Sequence, residues 1–275
     1  MKKDNLYNHS LETCVSVIVP TRNSAGTIEK CLESILSQTY KNLQILVIDG
    51  FSSDNTVEIA SRFATNIFST EGERTTAKNF GILKSRCDFL FFVDSDMILE
   101  PHVIEECVTI SSSDNRIGGV IIPEHSIGSG FWIRVRNFEK SLYVGSAIES
   151  ARFFRKEFVV QVGGFDENIV FYEESTLPQK IEGIGMSVSA RITSSILHNE
   201  EGFTLCMWLG KKRRYYLTAG SYSKKYKKSA KMQTSIFYRI NVFIVNGKWK
   251  NLIRHPILSA GLFMLKILEF FASKL

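Results

Sequence analysis

Apolar and polar positions fall into alternating blocks along the first two thirds of the chain. VSVIV (15–19) is a short apolar run stopped by Pro20, after which Ile28, Cys31, Leu32, Ile35 and Leu36 recur at helical spacing. LQILVID (43–49) predicts the next strand, and TVEIASRFA (56–64) the next helix, with Thr56 as its N-cap. NIFST (66–70) is a weaker strand, TTAKNFGILKSR (75–86) has helical character, and FLFFVD (89–94) is the strongest strand. Strands alternating with helices predict βαβ units, hence an α/β domain with a mostly parallel sheet and helices on both faces. In such sheets ligands gather at the carboxyl ends of the strands.

A run with no solvated face, such as FLFFV, belongs in the middle of a sheet, where a lone carboxylate cannot stay charged. Asp94 must therefore emerge at the rim. With Ser95 between them, Asp94 and Asp96 leave it together and can share one cation. Hard divalent cations take oxygen ligands, and Mg²⁺ in particular uses one or two carboxylates plus substrate phosphates. Asp49 ends a second strand in the same way.

After residue 100 the pattern loosens. GGVII (118–122) predicts a strand, SGFWIRVRNFEKSLYVGS (129–146) is aromatic and basic, and ARFFRKEFVVQVGGFDE (151–167) is strand-like and ends in a turn. MSVSARI and SSILH (186–198) follow, and from 203 onward the chain turns helical and basic.

Charge sharpens that division. The formal net charge of +6 hides a split: residues 1–201 hold 19 Lys+Arg against 27 Asp+Glu, and residues 202–275 hold 15 against one, Glu269. The second part is thus +14 and the first −8, which points to an anionic partner for the tail. The last apolar run, about 16 residues after Pro256, is shorter than the roughly 20 that span a bilayer, so it is expected to lie in an interface or pack on the domain. Five scattered cysteines without CxxC spacing suggest neither a disulfide framework nor a zinc site, and a reducing, cytoplasmic setting is the default. MKKDNLYNHSLETC at the start has no apolar core of a secretion signal.

VIVPTRNSAGTIEKCLESILSQTYKNLQILVIDGFSSDNT followed by ERTTAKNFGILKSRCDFLFFVDSD resembles family 2 glycosyltransferases, in order and at the family's spacing. The resemblance extends more weakly through VGGFDENIVFYEESTL and ILHNEEGFTL. It implies a GT-A fold, a Rossmann-like catalytic domain over residues 12–205, followed by a basic, amphipathic helical C-terminal extension over 206–275. It also implies an inverting, metal-dependent enzyme that moves a sugar from a nucleoside-diphosphate sugar (UDP or GDP type) to an acceptor, with Mn²⁺ or Mg²⁺ as cofactor. Asp49, able only to accept hydrogen bonds, would suit an N–H of the base. Pro20, Thr21 and Asn23 would form a second wall, and Arg74 and Lys78 would help hold the nucleotide. Lys78 stands where the family more often has Arg. Asp94 and Ser95 would lie by the ribose, Asp96 would be the direct metal ligand with Asp94 near it, and His198 falls where relatives have a histidine near the diphosphate or metal. Glu173 and Glu174 match an acidic pair whose second member is usually Asp. Glu174 takes the base position, and two adjacent carboxylates resist both ionising, which raises one apparent pKa.

The basic tail adds a glycan, a lipid-linked glycan or a polyprenyl phosphate as acceptor, and a peripheral position on the cytoplasmic face of an anionic membrane. Trp132, Arg134 and Arg136 are candidates for lining the acceptor site. A nucleic-acid-binding protein using the tail, or a nucleotidyltransferase, are the alternatives. The first leaves Asp49, Asp94 and Asp96 without a role, and the second lacks a good Gly-rich triphosphate loop in PTRNSAGT, so no nucleic acid is expected.

Overall fold

The computed structural model describes residues 13–272 except 65, 147, 150 and 171. The N-terminal stretch read above for a secretion signal therefore lies, but for its last two residues, outside the described residues. In chain order the elements are β1 (Val15–Thr21), α1 (Ile28–Leu36), β2 (Leu43–Asp49), α2 (Thr56–Ala60), β3 (Asn66–Ser69), α3 (Arg74–Lys84), β4 (Phe89–Phe92), β5 (Met97–Leu99) and α4 (Val103–Ser113). Then come β6 (Gly119–Ile121), β7 (Glu124–Ile127), α5 (Phe131–Tyr143), β8 (Ala151–Arg155), α6 (Lys156–Gln161), α7 (Glu173–Gly183), β9 (Ala190–Arg191) and β10 (Ile196–Asn199). The tail is helical: α8 (Leu205–Lys225), α9 (Lys227–Thr234), α10 (Ile236–Ile244), α11 (Trp249–Arg254) and α12 (Pro256–Ala272). SGFWIRVRNFEKSLYVGS thus contains a helix, and ARFFRKEF divides into a strand and a helix rather than one strand.

The chain forms two compact units, one from residues up to 123, 150–167 and 173–197, the other from 124–149, 168–172 and 198 onward. The first holds a seven-stranded sheet in the order β3-β2-β1-β4-β8-β6-β9. β1 runs parallel to β2 and β4, β2 to β3, and β6 to β9; β8 is antiparallel to both β4 and β6. β4 is the fourth of seven strands, and every residue of FLFF is buried, as a run without a polar face requires.

Strand alternation sends successive side chains to opposite faces. Val15, Val17 and Val19 pack with Ile28, Leu32 and Ile35 of α1 and with Val103 and Cys107 of α4 on one face. Ile18, Leu46 and Phe92 meet Ala77 and Ile82 of α3 and Leu177 and Ile181 of α7 on the other. The chain moves outward from β1 through β2 to β3, then crosses to β4 on the far side of β1. The carboxyl ends of β1 and β4 therefore flank a topological switch point, where open α/β sheets leave a ligand crevice.

One expectation is corrected. Cys14 and Cys87, 73 residues apart in sequence, are joined as a disulfide with Cα atoms 4.7 Å apart. The pairing of β1 with β4 aligns Val15 with Phe89 and so brings the residues just before the two strands together, which sequence spacing cannot display. Cys31, Cys107 and Cys206 are free thiols.

The second unit gathers α5 with the tail helices. Val135, Phe138 and Leu142 of α5 pack with Val242 and Phe243 of α10 and with Leu262 and Leu265 of α12. Among the described residues no helix is long and apolar enough to cross a membrane.

Helix α3, which carries two of the predicted site residues, approaches β1 closely. A Cβ on Gly81 would stand 2.4 Å from Cγ2 of the buried Ile18. Gly81→Ala is therefore expected to destabilise the fold by about 1–3 kcal/mol through overpacking. Equilibrium denaturant unfolding checks this, and an unchanged midpoint would show that α3 does not sit against β1 as described.

Candidate active site

The site begins where β4 stops. Val93 donates its N–H to Ile18 O, the last step of the β1–β4 ladder, and the chain then turns through Asp94, with Met97 N–H returning to Asp94 O. Ser95 is buried and donates its hydroxyl to Ser24 Oγ at 2.8 Å, fixing the turn to the loop after β1. Cys31 lies under the same turn: burial, then the Asp96 and Asp94 carboxylates, push its thiol well above the usual range. The DSD segment is thus held between α1 and the end of the central strand.

Asp94 faces two guanidinium groups. Arg74 Nη1 lies 3.5 Å from Oδ1, and Arg152 Nη1 lies 3.3 Å from Oδ2. Arg74 Nε also reaches Glu173 Oε1 at 2.9 Å. Lys78 Nζ is 3.2 Å from Glu173 Oε1 and 3.7 Å from Glu174 Oε1, and Arg152 Nη2 is 3.4 Å from Glu174 Oε1. Three cations and three carboxylates so form one continuous set drawn from α3, the end of β4, β8 and the start of α7. Lys78, with 1% of its side chain exposed, is its most buried member.

Local structure places the acidic pair. In VGGFDE, Gly163 and Gly164 adopt φ of +74° and +67°, a left-handed turn that side chains with a Cβ rarely take. A Cβ at Gly164 would also stand 2.6 Å from Asn79 Oδ1. That oxygen accepts Phe165 N–H at 2.9 Å, while Asn79 Nδ2 donates to Phe165 O and Glu167 Oε1. Farther on, Thr176 Oγ1 donates to Glu173 O at 2.7 Å, bracing the first turn of α7. The turn and α3 therefore set where Glu173 and Glu174 point.

The pair does separate in proton affinity, with Glu173 on the high side. Burial raises Glu173 above the usual carboxylate range, although Lys78 and Arg74 oppose it. Burial acts the same way on Glu174, but Arg152, then Lys78, outweigh it and hold that carboxyl at about 2. Glu174 is thus firmly ionised at neutral pH.

At the end of β2, Asp49 is buried and accepts Ser52 N–H at 2.9 Å and Ser52 Oγ–H at 2.6 Å. It braces the GFSSDNT turn, as a strand-end aspartate can, and each oxygen keeps a further lone pair. Asn23 Oδ1 accepts Ser53 N–H at 2.8 Å and its own N–H donates to Ser52 Oγ, so the loops after β1 and β2 are tied together. Pro20 and Thr21 end β1 beside Ile48 and Asp49. Among the described residues the buried Thr21 Oγ1 finds no hydrogen-bond partner.

His198 belongs to the second unit. There Nδ1 stands 3.5 Å from Lys140 Nζ and 3.7 Å from Glu200 Oε1. Trp132, Arg134 and Arg136 lie on α5 of the same unit, where Arg136 pairs with the buried Glu200 and stacks on the Trp208 ring at 3.8 Å. Among the described residues no three His, Cys, Asp or Glu side chains gather as a metal-holding group. A divalent ion bound at the rim would meet the carboxylate oxygens of the DSD segment, the hard ligands that Mg²⁺ or Mn²⁺ takes. Two guanidinium groups already face Asp94, so Asp96 is the candidate for a direct ligand.

Arg152 is the member of the set that sequence reasoning missed. The signal was present: an arginine inside the apolar run ARFFR must find a counter-charge once its strand is buried. What the sequence lacked was the antiparallel register of β8 on β4, Leu90 opposite Phe154 and Phe91 opposite Phe153, which carries Arg152 toward Asp94.

Sheet order and the mostly parallel central sheet flanked by helices define an α/β fold of the GT-A type. The chain belongs to glycosyl transferase family 2, whose description matches residues 16–167. It is 36% identical over 98 residues to the glycosyltransferase GlyG of Streptococcus pneumoniae serotype 4, a match that covers 33% of each chain. The chain thus spans about a third of that relative's length. Its fold is similar to the mannosyltransferase PcManGT of Pyrobaculum calidifontis in complex with GDP-Man and Mn²⁺, with a TM-score of 0.60, 19% identity and coverage of 94% of this chain and 81% of that one. It is similar also to residues 1–349 of S. aureus TarS in complex with UDP-GlcNAc, with a TM-score of 0.57, 16% identity and coverage of 75% and 66%.

The low proton affinity of Glu174 has a sign. A carboxyl held at about 2 when folded, against its ordinary 4.5, adds stability that is fully present above pH 4.5 and is lost as pH falls toward 2. Glu174→Gln should therefore flatten the acid limb of the stability curve over that window relative to wild type. Thermal melts between pH 5 and pH 2 measure this, and parallel curves would count against the Arg152–Glu174 contact.

Proposed function

We propose that the chain is an inverting, metal-dependent glycosyltransferase that moves a sugar from a nucleoside-diphosphate sugar to an acceptor, with the reaction centre at the end of β4. The observation that carries this is the ionic set itself, three cations and three carboxylates drawn together at the switch point of the sheet. The complexes of the two structural neighbours with GDP-Man and Mn²⁺ and with UDP-GlcNAc support a sugar nucleotide as donor class.

In this assignment Asp49, Thr21 and Asn23 receive the nucleoside and Arg74 faces the donor phosphates from α3, whereas Lys78, expected from sequence to share that role, is buried between Glu173 and Glu174 and instead positions the carboxylates. Asp96 would hold the cation and Asp94 would steady the ribose side. A divalent ion bound there would supply Lewis-acid neutralisation of the leaving nucleoside diphosphate. Glu174 lies in its ionised, proton-accepting form beside Arg152, and a single displacement inverts the anomeric centre. A carboxylate of low proton affinity is a weak general base. It suits an acceptor that is already an anion, such as a polyprenyl phosphate, better than a hydroxyl. The +14 charge of residues 202–275 fits that acceptor class and a peripheral position on an anionic leaflet.

A panel of UDP-, GDP- and dTDP-sugars, titrated with and without Mn²⁺, tests the donor assignment. One donor should bind in a Mn²⁺-dependent way and Asp96→Ala should abolish that dependence; equal binding by the variant would remove Asp96 from the site. Glu174→Gln should lower kcat about 10²–10⁴-fold with a hydroxyl acceptor and far less with a phosphate acceptor. Steady-state rates with both acceptor types read this, and wild-type kcat with the hydroxyl acceptor would exclude Glu174 as the base.

A further inference from the structure

The tail helices carry apolar residues where surface helices carry polar ones. On α12 the buried side chains Leu262, Leu265 and Glu269 form one stripe. The opposite stripe, Phe263, Met264, Ile267, Phe270 and Phe271, is exposed. Helix α10 repeats the arrangement: Val242 and Phe243 are buried, while Phe237, Ile240 and Ile244, at spacings of three and four, are exposed, Phe237 to 81%. On α11, which has no buried residue, Trp249 and Ile253 are exposed as well. More than half of the exposed large apolar side chains among the described residues fall between 237 and 271. An amphipathic surface helix turns its polar face outward, and a helix apolar all round needs cover on every side.

Charge identifies what covers it. Glu269, the single acidic residue after 201, is buried in the second unit, where it accepts Trp208 Nε1–H at 2.7 Å and pairs with Lys266 Nζ at 2.7 Å. Burial pushes it up, but Lys212 and Lys266 outweigh that and hold it at about 2. The tail's only negative charge is thus spent internally. Its exposed charges are cationic, among them Lys211, Arg213, Arg214, Lys250 and Arg254. Two copies of a segment whose exposed charges are all cationic repel, which disfavours self-association. Nucleic acid would satisfy the cations and could stack on Phe237, Trp249, Phe263, Phe270 and Phe271, but it would leave the aliphatic Ile240, Ile244, Ile253, Ile257 and Ile267 without apolar cover. An anionic bilayer satisfies both needs, with phosphates for the cations and acyl chains for the aliphatic stripe. Helix α12, at 17 residues and about 25 Å, is too short to span the roughly 30 Å hydrocarbon core.

We propose that the outer faces of α10, α11 and α12 form an in-plane membrane-docking surface, its partner a bilayer with anionic headgroups and its apolar stripe seated at the headgroup–acyl boundary. The proposal rests on the membrane placement proposed above and is independent of the transfer chemistry.

The test is co-sedimentation of the full chain with phosphatidylcholine vesicles, with and without phosphatidylglycerol. The comparison is the triple variant Phe263→Ser/Ile267→Ser/Phe270→Ser, three exposed positions whose change leaves the core intact. Wild type should pellet with anionic vesicles, and the variant should partition at least about tenfold more weakly at equal charge. Its thermal melt and donor binding should match wild type. Equal partitioning of the variant overturns the proposal, because charge alone would then suffice. A stable dimer in sedimentation velocity that the variant dissolves also overturns it, since a second copy would be the cover, as does single-stranded RNA binding that the same changes abolish. Failure of every sugar nucleotide to bind, with vesicle binding intact, would reject the transferase assignment and leave the docking surface standing.

Discussion

A carboxylate inside a protein stays ionised only beside a counter-charge, and the end of β4 meets that constraint with Lys78, a lysine almost wholly withdrawn from water. Its ammonium stands between Glu173 and Glu174, while Arg74 and Arg152 link the same carboxylates to Asp94. The neighbouring structure serves this set. Gly81 lets α3 lie close enough to β1 for Lys78 to reach inward, and the GGFDE turn, pinned by Asn79, brings the first turn of α7 to meet it. Removing any one charge would leave its neighbour buried and unbalanced, so position and chemistry at this site are set by the same contacts.

The set also divides labour between adjacent glutamates. Sequence adjacency alone predicts that one carboxyl rises, and the structure assigns the rise to Glu173, through burial. Glu174 falls instead because Arg152 faces it from β8. One arginine on a neighbouring strand thus decides which member of an identical pair carries the firm negative charge. In the proposed reaction such a carboxylate would serve an anionic acceptor, which has no proton to lose, better than a hydroxyl.

Much of this was legible in the residues. FLFFV without a polar face declared the middle of the sheet, and β4 is its central strand. The two aspartates after it, Asp49 at the end of β2, and the pattern of alternating strands and helices all lie where periodicity put them. What escaped was set by contacts between distant segments. Arg152 needed the β4–β8 register, and the Cys14–Cys87 pair needed the β1–β4 register. Helix α5 looked only aromatic and basic. Its Val135, Phe138 and Leu142 pack on tail helices more than a hundred residues later, so its compact unit is discontinuous in a way no linear boundary displays. The apolar outer face of α12 was likewise hidden, since a sequence gives hydrophobicity but not which stripe the core has taken.

In the proposed reaction the rim of β4 holds the metal and the diphosphate while the ionic set presents Glu174 to the acceptor. A crystal structure with Mn²⁺ and a nucleoside diphosphate, with anomalous scattering used to locate the metal, tests it most directly. The account predicts one strong anomalous peak within about 2–2.5 Å of an Asp96 carboxylate oxygen and bridged to the diphosphate, with Glu174 still beside Arg152. A diphosphate seated away from the carboxyl ends of β1 and β4, or a metal with no contact to Asp96, would contradict it.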